Sequence, residues 1–283
     1  MIASVRASED CAERAKPWIL AATILGSSMG FIDLSAVNVA LPVLQRDLGA
    51  SLTSAQWVVN AYTLVSAALT LIGGSAGDRF GRRRVFILGV TIFTAASIAC
   101  GFASNGTMLI AARVVQGFGS TLMIPNSLAI IGASFGDDER GRAIGTWAGV
   151  TSGVGALAPV LGGWLVDAIS WRAIFFVNVP VALLTASLTW RHVPADRGTG
   201  DAAPLDWLGA ALAAGGLGAA AFGLVEAGEL GWRHPGVDGA LMAGIVLFAA
   251  FIAVEGRGRA PMVPLILFRS RVFSGINLQT LLL

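Results

Sequence analysis

The sequence predicts an all-α integral membrane protein, a bundle of transmembrane helices, and three observations carry that reading. Apolar residue types make up 55% of the 283 residues and charged types only 13%, about half the charged share of a soluble domain. Mean hydropathy is +0.74. The apolar residues fall into runs of the ~20 residues that a helix needs to cross a bilayer. A chain so composed cannot cover its own surface in water, and its expected partner is lipid.

The segment before Lys16 carries Glu9, Asp10 and Glu13 beside Arg6 and Arg14. The apolar run that follows exceeds the ~7–15 residues of a signal-sequence core, so it is expected to stay as the first span. Residues 1–16 are then a cytoplasmic tail. The spans read Trp18–Leu41, Ala55–Ile72, Val85–Ala103, Met108–Ser134, Ala143–Val166 and Ala173–Trp190, then Leu208–Val225 and Val237–Val254. A ninth apolar run begins at Val272 and meets the last residue, Leu283. That is too short to cross as a helix, so the chain reads as the N-terminal portion of something longer.

Positive charge fixes the expected orientation. With the N-terminus inside, fifteen of the nineteen Lys and Arg residues fall in inner segments, and only Arg46, Arg172 and Arg233 in outer ones. Arg113 lies within a span. A missed or invented span would scramble this alternation. The segment His192–Asp206, with Pro194, Gly198, Gly200 and Pro204, reads as a flexible linker. The expected organisation is a six-helix domain over 17–192, a linker with two further helices over 193–259, and the start of a second domain over 260–283. Trp190, Trp207 and Trp232 at span ends read as interfacial anchors.

Several function classes find no support. Net charge is +2 and pI about 8.9, with the arginines dispersed in short loops, so no nucleic-acid partner is expected. Cys11 and Cys100 form no metal or redox spacing and read as free thiols. His192 and His234 flank spans at opposite expected faces, and Asp137-Asp138-Glu139-Arg140 reads as a short solvated loop rather than a metal cage. No enzyme constellation, metal or cofactor is expected.

Two charges stand where lipid would reject them. Asp33 lies in the first span and Arg113 in the fourth, and each would cost ~2.5–3.5 kcal/mol or more facing acyl chains at mid-bilayer. Counting residues in the expected topology puts both ~8–12 Å below the outer edge. Gln116, one turn from Arg113, adds a hydrogen-bonding group on the same face. Desolvation favours a neutral carboxyl and a nearby cation favours a charged one, so opening or filling such a cavity can move a proton. The plainer alternative is a structural ion pair. Between spans two and three, Gly73 to Arg84 reads as a tight loop in which Asp78 stands among Arg79, Arg82, Arg83 and Arg84. That order exceeds what orientation needs, and Asp78 is a candidate latch between two states.

These residues resemble a known family, the major facilitator superfamily, in particular its fourteen-helix drug:proton antiporters. Gly74 to Arg83 resembles the loop signature of that family, and Arg113-Val-Val-Gln116-Gly117-Phe-Gly119 resembles its fourth-helix motif. Asp33 to Pro42 resembles its first-helix motif, with Ser35 where Thr is usual. Trp57, Tyr62 and the stretch Trp171 to Pro180 fit as well. The resemblance implies that Gly74, Asp78, Arg79, Gly81, Arg82 and Arg83 govern switching, and that Asp33, Arg113 and Gln116 couple protons to substrate release. It also implies an antiporter motif in the fifth span, present in altered form. Pro159, Gly162 and Gly163 match, while Val154, Gly155 and Ala158 depart.

The function so implied is proton-driven efflux of hydrophobic or cationic small molecules, such as drugs or antibiotics, by alternating access in the plasma membrane. Protons are the coupling ion and no cofactor is needed. Two alternatives stand: a truncated, non-transporting membrane remnant or interaction subunit, and an importer of the same fold. Substrate identity and oligomeric state leave no readable mark.

Overall fold

The computed structural model describes residues 2–196, 198 and 206–257, with side chains from residue 13 onward, and a few positions beyond 269. Most of the ninth apolar run and of 260–283 lies outside the described residues, as do Cys11's side chain and most of the 197–205 segment.

Nine helices form among the described residues: α1 (Ile2–Leu48), α2 (Leu52–Phe80), α3 (Arg82–Gly101), α4 (Gly106–Ser134), α5 (Asp137–Ala168), α6 (Ala173–Phe176), α7 (Asn178–His192), α8 (Trp207–Leu230) and α9 (Pro235–Arg257). Eight segments are long and apolar enough to cross a membrane, with α6 and α7 counting as one over Ala173–His192. They coincide with the eight expected spans. The architecture is all-α, as the apolar runs require.

Helix ends follow local chemistry. Ser51 Oγ accepts from Ser54 N at 3.1 Å to start α2, and Asn105 Oδ1 accepts from Met108 N at 2.8 Å to start α4, each satisfying an amide with no intrahelical partner. Asp137, Asp138 and Glu139 form the first turn of α5, where carboxylates face the positive end of the helix dipole. The acidic run read as a loop is therefore helix. Pro180 has no N–H to offer the carbonyl of Phe176, which accounts for the one-residue interruption at Val177 between α6 and α7. The first span runs from Glu13 to Leu48, 36 residues. At 1.5 Å per residue it is ~54 Å long, well beyond ~30 Å of hydrocarbon, so α1 must tilt or protrude.

Helices α1–α7 belong to one compact unit and α8–α9 to another. In the first unit α4 is central, packing against α1, α2 and α3, while α5 lies along α1. Small residues set these distances, as expected where no hydrophobic force drives helices together. A Cβ at Gly73 would stand 1.8 Å from Thr121 O, and one at Gly119 would stand 2.5 Å from Phe93 N. In the second unit α8 and α9 pack on each other, and Asp206 caps α8 through Gly209 N at 2.8 Å.

Candidate functional site

The core of α1–α7 holds a polar cluster where apolar packing would be the default. Asp33 from α1 and Arg113 and Gln116 from α4 are each 0% exposed. Arg113 Nη1 forms an ion pair and hydrogen bond with Asp33 Oδ2. Gln116 Nε2 donates to Asp33 Oδ1 at 2.8 Å, and Arg113 Nη1 also donates to Gln116 Oε1 at 2.8 Å. The three residues form a closed ring of polar contacts. Arg113 and Gln116 meet because residues three apart share a helix face.

Other elements complete the cluster. Arg113 Nε donates to the backbone oxygen of Val58 at 2.9 Å, and its guanidinium lies 4.3 Å from the centre of the Tyr62 ring. Cys100 Sγ from α3 lies 3.5 Å from Gln116 Oε1. Among the described residues, Arg113 Nη2 has no hydrogen-bond partner. The arrangement can hold a charged carboxylate out of water with two donors aimed at it. It can also release that carboxylate, because Arg113 keeps Val58 O, Gln116 and the Tyr62 face.

The segment read as a switch loop is mostly helix. α2 continues to Phe80, and a single residue, Gly81, separates it from α3. Gly81 has φ +96°, open to glycine at no steric cost. Asp78 pairs with Arg82 Nη2 at 2.9 Å, both partly exposed. The other arginines diverge: Arg79 lies over the Phe80 ring at 5.8 Å, and Arg83 Nη2 donates to Trp190 O at 2.6 Å. Gly74 has ordinary contact distance to Pro125.

A residue that the sequence reading passed over completes this turn. Asp196 accepts from Arg82 N at 3.0 Å and Arg83 N at 3.4 Å, so a side chain more than a hundred positions away caps α3. A Cβ at Gly81 would stand 2.6 Å from Asp196 O, and one at Gly198 2.4 Å from Arg79 O. The two backbones cross where only glycines fit. The start of the segment read as a flexible linker is thus anchored to the turn, because its carboxylate satisfies orphan amides. No sequence pattern pointed to this, since Asp196 is one of three aspartates in the segment, with Asp201 and Asp206.

The antiporter-like motif lies in α5, which runs unbroken through Pro159. Ala158 and Gly162 are buried, and a Cβ at Gly162 would stand 2.8 Å from Ala36 Cβ on α1. Gly163 faces Val39 at ordinary contact distance, whereas Pro159, Val160 and Leu161 are exposed. The motif therefore offers a seam of small residues to the helix that carries Asp33. Further along α1 and α4, Trp147 Nε1 donates to Ser27 Oγ at 3.1 Å, and Ser27 Oγ donates to Ser127 Oγ at 2.8 Å.

Comparison with known proteins gives this geometry its context. The Major Facilitator Superfamily profile matches residues 23–270. The Methylenomycin A resistance protein of Bacillus subtilis (strain 168) is 36% identical over 260 residues, which cover 90% of this chain and 55% of that protein. The Tetracenomycin C resistance and export protein of Streptomyces glaucescens is 36% identical over 260 residues, covering 91% of this chain and 48% of that one. The chain spans about half the length of the curated relatives it matches. A crystal structure of the peptide transporter POT in complex with sulfate superposes with a TM-score of 0.64 at 19% identity, covering 87% of this chain and 53% of that one. At that identity the likeness is one of fold alone.

Proposed function

The chain belongs to the Major Facilitator Superfamily, a family of multi-pass membrane transporters rather than enzymes, and from that premise we propose that it forms part of a proton-coupled exporter of hydrophobic or cationic small molecules. The observation that carries the proposal is the dry ring of Asp33, Arg113 and Gln116 inside a bundle of membrane helices. Intramembrane charges are costly, and a proton or substrate pathway is the usual reason they persist. The resistance and export proteins among the relatives support the outward direction.

In the proposed cycle, Asp33 is ionised and held by Arg113 and Gln116 while a substrate enters from the inner side. A proton arriving from outside neutralises Asp33, loosens its bond to Arg113 and favours the state that releases substrate outward. Asp78, Arg82 and the Gly81 turn form the latch, with Gly74, Arg79 and Arg83 around it. The seam of Gly162 and Gly163 lets α5 move against α1, with Pro159 on the exposed side of α5. The inner side is the plasma-membrane face bearing most of the arginines, the N-terminus included. Residues 17–192 make one half of the carrier, and alternating access needs a second half moving against it around a shared midplane site.

The test is export of a lipophilic dye by cells expressing the complete gene, normalised to inserted protein, under an imposed pH gradient. Asp33→Asn is expected to abolish the gradient-dependent part. Undiminished gradient-driven export in that variant would remove Asp33 from the mechanism.

A further inference from the structure

We infer that Tyr62 is a positioning residue that keeps Arg113 attached to α2 while the bond between Arg113 and Asp33 on α1 is made and broken. The inference rests on the reading of Asp33 as the proton carrier and adds a residue to it.

Arg113 is held from three directions. Asp33 on α1 takes one edge of the guanidinium. Val58 O on α2 accepts from Nε at 2.9 Å, and the Tyr62 ring, one turn further along α2, covers a face at 4.3 Å. Residues 58 and 62 lie on the same side of their helix, so α2 grips the arginine by edge and face together. Only the α1 contact involves a group that exchanges a proton. Cation–π attraction is strongest where water is absent, and both residues are buried, Tyr62 at 4% exposure.

The surroundings hold both the backbone and the ring of Tyr62. A Cβ at Gly117 would stand 2.8 Å from Tyr62 O, and one at Gly30 would stand 3.0 Å from the Tyr62 hydroxyl. Phe93 meets the ring edge-on at 6.4 Å. Gly117 follows Arg113 by four residues, so the same face of α4 carries the arginine and the glycine that lets the backbone of α2 at Tyr62 come close. Among the described residues, the charged groups acting on Tyr62 are Asp33 and Arg113, and the Cys100 thiol of α3 faces that same pair. The Ser66 and Ser120 hydroxyls also face the Tyr62 hydroxyl.

Without the ring, Arg113 depends more heavily on Asp33, and a proton competes less well for the carboxylate. Gradient-driven export should then require a more acidic exterior. In vesicles from cells expressing the complete gene, Tyr62→Leu is expected to move the midpoint of the transport–pH curve about one unit toward acid, tenfold in proton concentration. Tyr62→Phe keeps the ring and should keep the wild-type midpoint. Should the leucine variant fail to insert, Tyr62→Met fills similar space without an aromatic face and serves the same purpose. An unmoved midpoint in Leu or Met, or an equal shift in Phe, overturns the inference. An Asp33→Asn curve that stays steep overturns the underlying reading instead. A flat Asp33→Asn curve beside an unmoved Tyr62→Leu curve removes Tyr62 alone.

Discussion

Replacing Asp33 by Asn should destabilise the bundle, and adding Arg113→Gln should restore part of the loss. Asp33 presents two acceptors, Oδ2 to Arg113 Nη1 and Oδ1 to Gln116 Nε2. An asparagine has one acceptor and one donor. Whichever way its amide turns, an N–H confronts Arg113 or Gln116. Turning Gln116 as well only moves the conflict, because Gln116 Oε1 already accepts from Arg113 Nη1. The guanidinium also loses its only charged partner in the ring while fully buried. Removing one member of a buried pair costs about 3–5 kcal/mol, a drop in apparent Tm on the order of 10 °C for a domain of this size. Arg113→Gln alone strands the carboxylate and should cost a similar amount. The double variant replaces the pair with neutral amides and should be at least as stable as either single one. Thermal unfolding of the four detergent-purified proteins measures the coupling directly. Strictly additive losses would refute the picture of a mutually dependent buried pair.

Two further outcomes follow from the helix contacts. Asp196→Ala removes the side chain that caps α3, a loss of about 1 kcal/mol by analogy with other helix caps, so hydrogen exchange should quicken at the amides of Arg82 and Arg83; unchanged exchange there would dissociate the 193–198 segment from the turn. Gly162→Val adds a side chain where a Cβ already stands 2.8 Å from Ala36, and should force α5 from α1 and lower export per inserted protein, with wild-type rates counting against the seam.

How much of this was legible in the sequence depends on what kind of atom does the work. Asp33 and Arg113 are conspicuous because a charge in an apolar run has few cheap explanations. Residue counting placed both at one depth, and they meet. Gln116 followed from helical spacing. The rest of the cluster left less of a trace: Val58 contributes a backbone oxygen, which every residue possesses, and Tyr62 fits the family pattern without any sign in the sequence that its ring face meets Arg113. The switch segment misled for a related reason. Gly73, Gly74 and Gly77 look like chain breakers in water, yet in a membrane bundle they are flat contact surfaces, and Gly73 lies against Thr121 O on α4. Asp196 was hidden because a carboxylate in a polar stretch is solvated by default, and only the folded chain brings it to the amides of α3.

The most direct measurement of the central claim is proton release on substrate addition, followed with a pH indicator in weakly buffered detergent solution of the complete purified carrier. When a lipophilic cation is added at a series of pH values, the wild type should release up to one proton per carrier at some of them and Asp33→Asn none at any. Equal release from both proteins would place the exchanging proton elsewhere and contradict the account.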